Sequence, residues 1–551
     1  MESLESIARK VGEAEKEPCQ ENNEMNIEIE KLKKLKKEIK EYKKDYKVNF
    51  LVEPSGEKGR SYKEEYEILY EKIEGNLDEE GCLSDEEYSE ISPVFEYPRI
   101  EEMNIGNLEE VILKLQETRK RVEEEFDNDS IVELAFESLD IAEAEMNFLK
   151  NKYYGDSEEA FECLKTIYGD FKEELPQKCD EMYQTGIEFL KTQGEKNETE
   201  KKLESLEFDA ESIKAFFNMA IIKAGLKDSE FEAVVTDRVS NIRVSNNYPG
   251  FDHPVVMIPS DRKVDGMKLI RLIAHEIGRH VATSYYNKKQ GFDDGLGGRD
   301  WDLFSEGIAL LSENKAKEAV LGDAYQKGED NLGNRIYYIL AMEKVRGEKA
   351  ENGEYENGWN YAKVYKYIYK KRYEEELCRQ GYYNLKDKYN LSDEQEKAKL
   401  ETKFKDIKEK SKEIAIDIAE KICLRVFKGF DPKYGGLFSL KDKVYAEGII
   451  ESEKLSEIDS GEKLEEYLRL SEVDPKLIPI LIKAGAYSYK KGIETATKIA
   501  EKIWEKEDWP RELLRGEKKH ELFIPYMNDF MDKYYENEWK NFYDQNNRDN
   551  E

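Results

Sequence analysis

Apolar residues recur at three- and four-residue spacing over most of the chain. From Lys31 to Lys47 the run KLKKLKKEIKEYKKDYK puts Leu32, Leu35, Ile39, Tyr42 and Tyr46 on one face of a helix and its lysines on the rest. The pattern predicts a helix that packs its apolar stripe on the main domain, the other reading being a basic arm for an acidic partner. Pro54, Gly56, Gly59, Gly75 and Gly81 then mark 52–92 as loops and short helices of the kind that border a domain. Beyond Pro93, helical spacing returns in 107–127, 129–154, 157–174 and 178–194.

Between 231 and 258 the texture changes. Phe231–Thr236 (FEAVVT), Asn241–Ser245 (NIRVS) and Pro254–Ile258 (PVVMI) are short, rich in Val and Ile, and separated by Asn, Pro and Gly, which predicts a small sheet. Asp265 can then cap a helix from about Met267 to Thr283, largely buried through Leu269, Ile270, Leu272, Ile273 and Ile277. A second helix is expected over roughly Trp301 to Val320, and charged helical patterns fill 334–425. The expected fold class is α+β, predominantly α. Its parts are a charged N-terminal helical segment 1–92, a main domain 93–535 and a polar tail 536–551. Within the main domain fall a helical block 93–200, a core 228–325, a helical insertion 345–412 rich in Glu, Lys and Tyr, and a C-terminal helical part 413–535.

Composition narrows the partners. Of 551 residues 39% are hydrophobic and 38% charged, enough for one sizeable core or two under a charged, soluble surface. Lys and Arg total 88 against 122 Asp and Glu, a net charge of −34, which repels phosphate backbones and anionic lipid heads and argues against nucleic acid and membrane as partners. The start MESLESIARK lacks the basic and apolar regions of a secretory signal, so a cytoplasmic location is expected. Cys19, Cys82, Cys163, Cys179, Cys378 and Cys423 are scattered without CxxC spacing, as reduced structural thiols would be. Nothing in the pattern fixes an oligomeric state.

The chemistry concentrates in His275-Glu276-Ile277-Gly278-Arg279-His280, which holds two of the chain's four histidines. Zinc takes imidazoles and a carboxylate and keeps a position for water. Residues four apart on an α-helix lie about 40° apart around the axis, but five apart lie about 140° apart and point away from each other. Two imidazoles at this spacing converge only if a π-bulge absorbs the extra residue or the helix unwinds, and Gly278 lowers the cost of either. The third ligand is expected from Ser305-Glu306-Gly307-Ile308-Ala309, where Glu306 sits in an apolar stretch and Gly307 would let the two helices approach closely. Glu313 shares roughly the face of Glu306; a surface carboxylate is the favoured reading, a rival ligand or a partner of a ligand the other. Glu276, directly after a ligand, is placed as the base that takes a proton from an attacking water. His253 and His520 read as surface residues.

HEIGRH followed by GLGGRDWDLFSEGIALLSE resembles the tubulin tyrosine carboxypeptidase (MATCAP-like) family, whose bacterial relatives carry a QEGLA motif that here reads Ser305-Glu306-Gly307-Ile308-Ala309. Members of that family share the five-residue His spacing. The resemblance extends to Asn241–Ser245 and Val255–Ile258, and more weakly to Pro93–Tyr97 and Tyr168-Gly169. Downstream, Arg425-Val426-Phe427-Lys428-Gly429 and Phe438–Tyr445 resemble the family's RVFRG and FTKDxxY blocks.

The resemblance implies a zincin-like core, one zinc ion on His275, His280 and Glu306, and Glu276 as general acid/base in removing a C-terminal residue, aromatic in characterised relatives. A peptide or protein C-terminus would be the substrate. Arg279 stands where the family has Thr, and Lys428 where it has Arg. These departures and the 345–412 insertion leave the metal set intact and the substrate open; an acidic tail such as tubulin's would be poorly steered to a chain at −34. Arg243, Arg425, Lys441 and Tyr445 are candidates for the substrate carboxylate and the oxyanion, each equally readable as a structural hydrogen bond or salt bridge. Tyr285 and Tyr286 read as pocket wall or core. Two other functions stay open: an endopeptidase or amidase with the same zinc, and a silent helical binding protein.

Overall fold

The computed structural model describes residues 3–16, 23–44, 107–154, 156–193, 198–223, 231–239, 241–245, 254–289, 296–322, 333–350, 355–455 and 472–484, with isolated positions between and beyond them. In chain order the elements run α1 (Leu4–Lys16), α2 (Asn23–Tyr42), α3 (Leu108–Glu125), α4 (Asp129–Tyr154), α5 (Ser157–Tyr168), α6 (Glu174–Gln193), α7 (Glu198–Glu204), β1 (Glu207–Asp209) and α8 (Ala210–Lys223). Then follow β2 (Glu232–Thr236), β3 (Arg243–Ser245), β4 (Val255–Pro259), β5 (Lys263–Asp265), the composite helix α9 (266–289) and α10 (Arg299–Leu321). After these come α11 (Asn334–Arg346), β6 (Glu348–Lys349), β7 (Tyr355–Glu356), α12 (Tyr361–Arg379), α13 (Tyr382–Leu391), α14 (Glu394–Val426), α15 (Lys443–Leu455) and α16 (Ile478–Lys483). The architecture is mostly helical with small sheets, as the periodicities predict.

The chain forms two compact units that interleave in sequence: 1–33, 196–326 and 448–551 make the first, 34–195 and 327–447 the second. In the first unit three strands pair in the order β2-β4-β3, with β2 parallel to β4 and β3 antiparallel to it. Central β4 is buried at every position from Val255 to Pro259, which is why it reads as an unbroken apolar run. Helix α8 packs against β2 and β4 and also touches the middle of α9, which β3 contacts too. Phe208, Phe216 and Phe523 fill this core, their ring centroids 4.7–5.4 Å apart. The β1–β5 pair is an addition to the sequence-derived picture: Phe208 faces Val264, and β5 leads straight into α9.

The second unit packs α11 against α6, α12 and α14. Along α12 the rings of Tyr361, Tyr365, Tyr369 and Tyr373 stack at i,i+4 spacing, 5.9–6.3 Å between centroids. Buried Glu375 is held by Arg372, by Arg379 at 2.7 Å and by the Tyr337 hydroxyl. On α2, Leu32, Leu35 and Ile39 are buried, in keeping with the apolar-stripe reading. Residues 345–412 are mainly helical, apart from the short β6–β7 pair.

Among the described residues no helix is long and apolar enough to cross a membrane. Cys163, Cys179, Cys378 and Cys423 carry free thiols. Cys19, Cys82, His253, His520, Pro93–Tyr97, nearly all of 52–92 and most of 485–551 lie outside the described residues, as does the side chain of Tyr286.

Candidate metal centre

The site begins with a cap. Asp265 accepts a hydrogen bond from the backbone N–H of Lys268 at 2.7 Å, starting α9 as an α-helix over Gly266–Leu272. The helix then passes into π geometry over Ile273–Val281 before closing as an α-helix over Ala282–Lys289. With i→i+5 bonding each turn takes in an extra residue, so positions five apart fall on one face. That resolves the stagger: His275 Nε2 and His280 Nε2 stand 3.2 Å apart. The apolar side of the segment (Ile273, Ala274, Ile277, Val281) is buried and anchors it.

Helix α10 brings Glu306 to the pair. One carboxylate oxygen lies 3.6 Å from His275 Nε2 and the other 3.9 Å from His280 Nε2. Ligand atoms of the three residues all fall within 4.8 Å of one another. Around a tetrahedral ion with bonds of about 2.05 Å, neighbouring ligand atoms sit roughly 3.3 Å apart, so this two-imidazole, one-carboxylate set fits a single zinc ion with little movement. The side chains retain 12%, 19% and 25% exposure for His275, His280 and Glu306, so the centre can be reached from solvent.

The far nitrogens of both imidazoles have partners. His275 Nδ1 lies 3.0 Å from Glu313 Oε1, and His280 Nδ1 lies 3.5 Å from the Ser305 hydroxyl. Glu313 is only 5% exposed, which corrects its expectation as a surface carboxylate. Its other oxygen lies 2.7 Å from Arg271 and 3.9 Å from Lys268. Sequence reasoning weighed Glu313 but passed over Arg271, Lys268 and Ser305. The available signals were spacings: Arg271 is four residues before His275, and Glu313 seven after Glu306.

Burial and charge set the protonation states. Burial lowers His280 well below the ordinary imidazole range, with His275 and Arg279 adding to it, so the ring stays in the neutral form a metal needs. At His275 burial works against the charged form, but the Glu313 hydrogen bond and the carboxylates of Glu276, Glu313 and Glu306 outweigh it and raise the group to about 9. Those same carboxylates favour a divalent cation. Glu276, 6% exposed, is raised to about 7, first by burial and then by Glu306 and Glu313, against the pull of His275.

Two sequence-derived details change. Gly307 does permit a close helix approach, but its neighbour is Gly448 on α15 and not α9. Tyr285 is core, with its ring 6.4 Å from that of Phe231. Of the substrate-binding candidates, Arg243 is exposed on β3, an edge strand of the three-stranded sheet. Arg425, Lys441 and Tyr445 belong to the second unit. There the Arg425 guanidinium forks onto Asp442, with one arm at 3.0 Å, and lies 5.1 Å from the centre of the Tyr338 ring. Lys441 and Tyr445 are half-buried.

Residues 86–349 match the family model described as microtubule-associated tyrosine carboxypeptidase (MATCAP). The match takes in α9, α10 and the three-stranded sheet. No curated protein matches the chain.

Proposed function

We propose, from the match of residues 86–349 to the microtubule-associated tyrosine carboxypeptidase family model, that this chain is a zinc carboxypeptidase removing one C-terminal residue, Tyr or Phe, from a peptide or protein. The observation that carries the zinc reading is the 3.2 Å approach of two imidazoles five residues apart, closed by Glu306 from a second helix. The small sheet beside the composite helix is consistent with a zincin-like core.

His275, His280 and Glu306 would hold the ion. Zinc, when bound, supplies Lewis acidity that polarises a carbonyl and lowers the pKa of a water toward neutrality. Glu276 accepts a proton from the attacking water as the new C–O bond forms. It then delivers that proton to the amide nitrogen as the C–N bond breaks, leaving a shortened chain with a new carboxylate and a free amino acid. Its raised pKa of about 7 suits both halves of that transfer near neutral pH. Arg243 on strand β3, which packs against the π-segment, is the first-unit candidate for the substrate's terminal carboxylate, with the strand edge that is unpaired among the described residues for its backbone. Arg425 already has a carboxylate partner, which favours a structural role for it.

The test uses the zinc-loaded full chain and peptides differing only in their last residue, with products followed by mass. Loss of a single terminal Tyr or Phe, absent in Glu276→Gln, supports the proposal. Cleavage of peptides blocked by a C-terminal amide would replace it with an endopeptidase or amidase. A protein that takes up no zinc would instead be a silent binding protein.

A further inference from the structure

Seven residues separate Glu306 from Glu313 on α10, which places them about 20° apart around the axis and roughly 10 Å apart along it. They therefore approach α9 at successive levels, Glu306 at the Nε2 side of His275 and Glu313 at its Nδ1 side. We infer that Glu313 is a positioning residue for the metal centre, held by Arg271 and Lys268, that fixes which nitrogen of His275 faces the ion. The inference rests on the zinc reading above.

A carboxylate 5% exposed is costly unless it is paired. Glu313 divides its two oxygens between two tasks: one faces Arg271 at 2.7 Å and Lys268 at 3.9 Å, the other His275 Nδ1 at 3.0 Å. With Arg271 and Lys268 against one oxygen, the other is positioned to accept from His275 Nδ1. In the neutral ring that a metal requires, Nδ1 is placed to donate to Glu313 and the lone pair of Nε2 to face His280 and Glu306. His275 stands near the start of the π-segment, and the contact from α10 holds its ring from outside that helix.

The same geometry disfavours Arg271 and Lys268 as the grip for a substrate carboxylate. They meet Glu313 on the Nδ1 side of His275, whereas the candidate ligand atoms gather on the Nε2 side. It also removes Glu313 as a rival ligand, because the oxygen near His275 addresses the nitrogen that points away from Glu306.

The experiment is a zinc titration of the full chain against a chromophoric chelator, with the visible spectrum of the cobalt-substituted protein as a second readout. Wild type, Glu313→Gln, Arg271→Gln and the double variant are compared, each checked for cooperative unfolding in excess chelator. Glu313→Gln should weaken zinc binding by about 10- to 100-fold and alter the cobalt spectrum. The double variant should stay weak, because removing the cation does not restore the charged acceptor behind His275. Zinc binding equal to wild type in a folded Glu313→Gln protein overturns the inference and leaves the zinc reading standing. Recovery in the double variant overturns it too, since Glu313 would then serve only to neutralise Arg271. If Glu313→Gln does not fold, Arg271→Gln decides: unchanged affinity and cobalt spectrum count against the inference. Absence of zinc binding by wild type removes both readings together.

Discussion

Gly307 and Gly448 meet backbone to backbone: a methyl group added to Gly307 would stand 2.2 Å from the Gly448 carbonyl oxygen, and one added to Gly448 would stand 2.3 Å from that of Leu303. Neither neighbour is a flexible side chain that could swing aside. Gly307→Ala should therefore force α10 away from α15 and cost about 3 kcal/mol, the upper part of the usual overpacking range. Because Glu306 is the preceding residue, zinc affinity should fall with stability. Chemical denaturation with and without zinc checks this; a variant as stable as wild type would show that the contact is loose.

On the zinc reading, an ion shared by α9 and α10 would tie two helices together and should stabilise the fold by mass action. At free zinc about 100 times Kd the gain is about 2.7 kcal/mol. Thermal unfolding should show a zinc-dependent rise that chelator reverses. In His280→Ala the rise should largely disappear, and a rise of unchanged size there would place the ion elsewhere.

Glu375 offers a pH dependence independent of the metal. Burial would raise its pKa, but Arg372 and Arg379, with the hydrogen bonds from Tyr337 and Arg379, bring it down to about 2 from 4.5. A lowered carboxylate stabilises fully above its unfolded pKa and loses that contribution as pH falls through the folded value, so the window runs from about 4.5 down to 2. The linked stability is about 3 kcal/mol. Glu375→Gln should be destabilising at neutral pH, and its difference from wild type should shrink as the pH is lowered through this window. Urea unfolding at a series of pH values measures it; a constant difference would contradict the assignment.

Asp442 is 3% exposed and depends on Arg425 for its charge partner. Arg425→Gln should cost about 2 kcal/mol, because the arginine is partly exposed while the carboxylate it leaves is not. If Arg425 is structural, KM for a cleaved peptide should move little once zinc and folding are controlled. A KM raised tenfold or more at unchanged stability would make Arg425 a substrate clamp instead.

The residues that converge in the candidate site were legible because ligand chemistry restricts residue type. HEIGRH and SEGIA named His275, His280, Glu276 and Glu306 as candidates, and the five-residue stagger required either a π-bulge or an unwound helix, of which π geometry is found over Ile273–Val281. Glu313 was harder: a Glu at helical spacing is usually solvated, and only the positions of Arg271 and Lys268 make it a buried partner. Gly307 was read for the right property and the wrong neighbour, since a glycine announces close approach without saying to what.

The sequence by itself determined the mostly helical character, the three short strands, the capped helix of the candidate site and the residue types gathered there, because period, capping and ligand preference act over a few neighbouring residues. Only the tertiary structure decided that β2 and β3 flank β4, that β1 pairs with β5, that 196–326 shares a unit with 448–551, and that Glu313 lies behind His275. These relations join segments far apart in the chain. They depend on which buried surfaces and charges fit one another, and no local pattern records that.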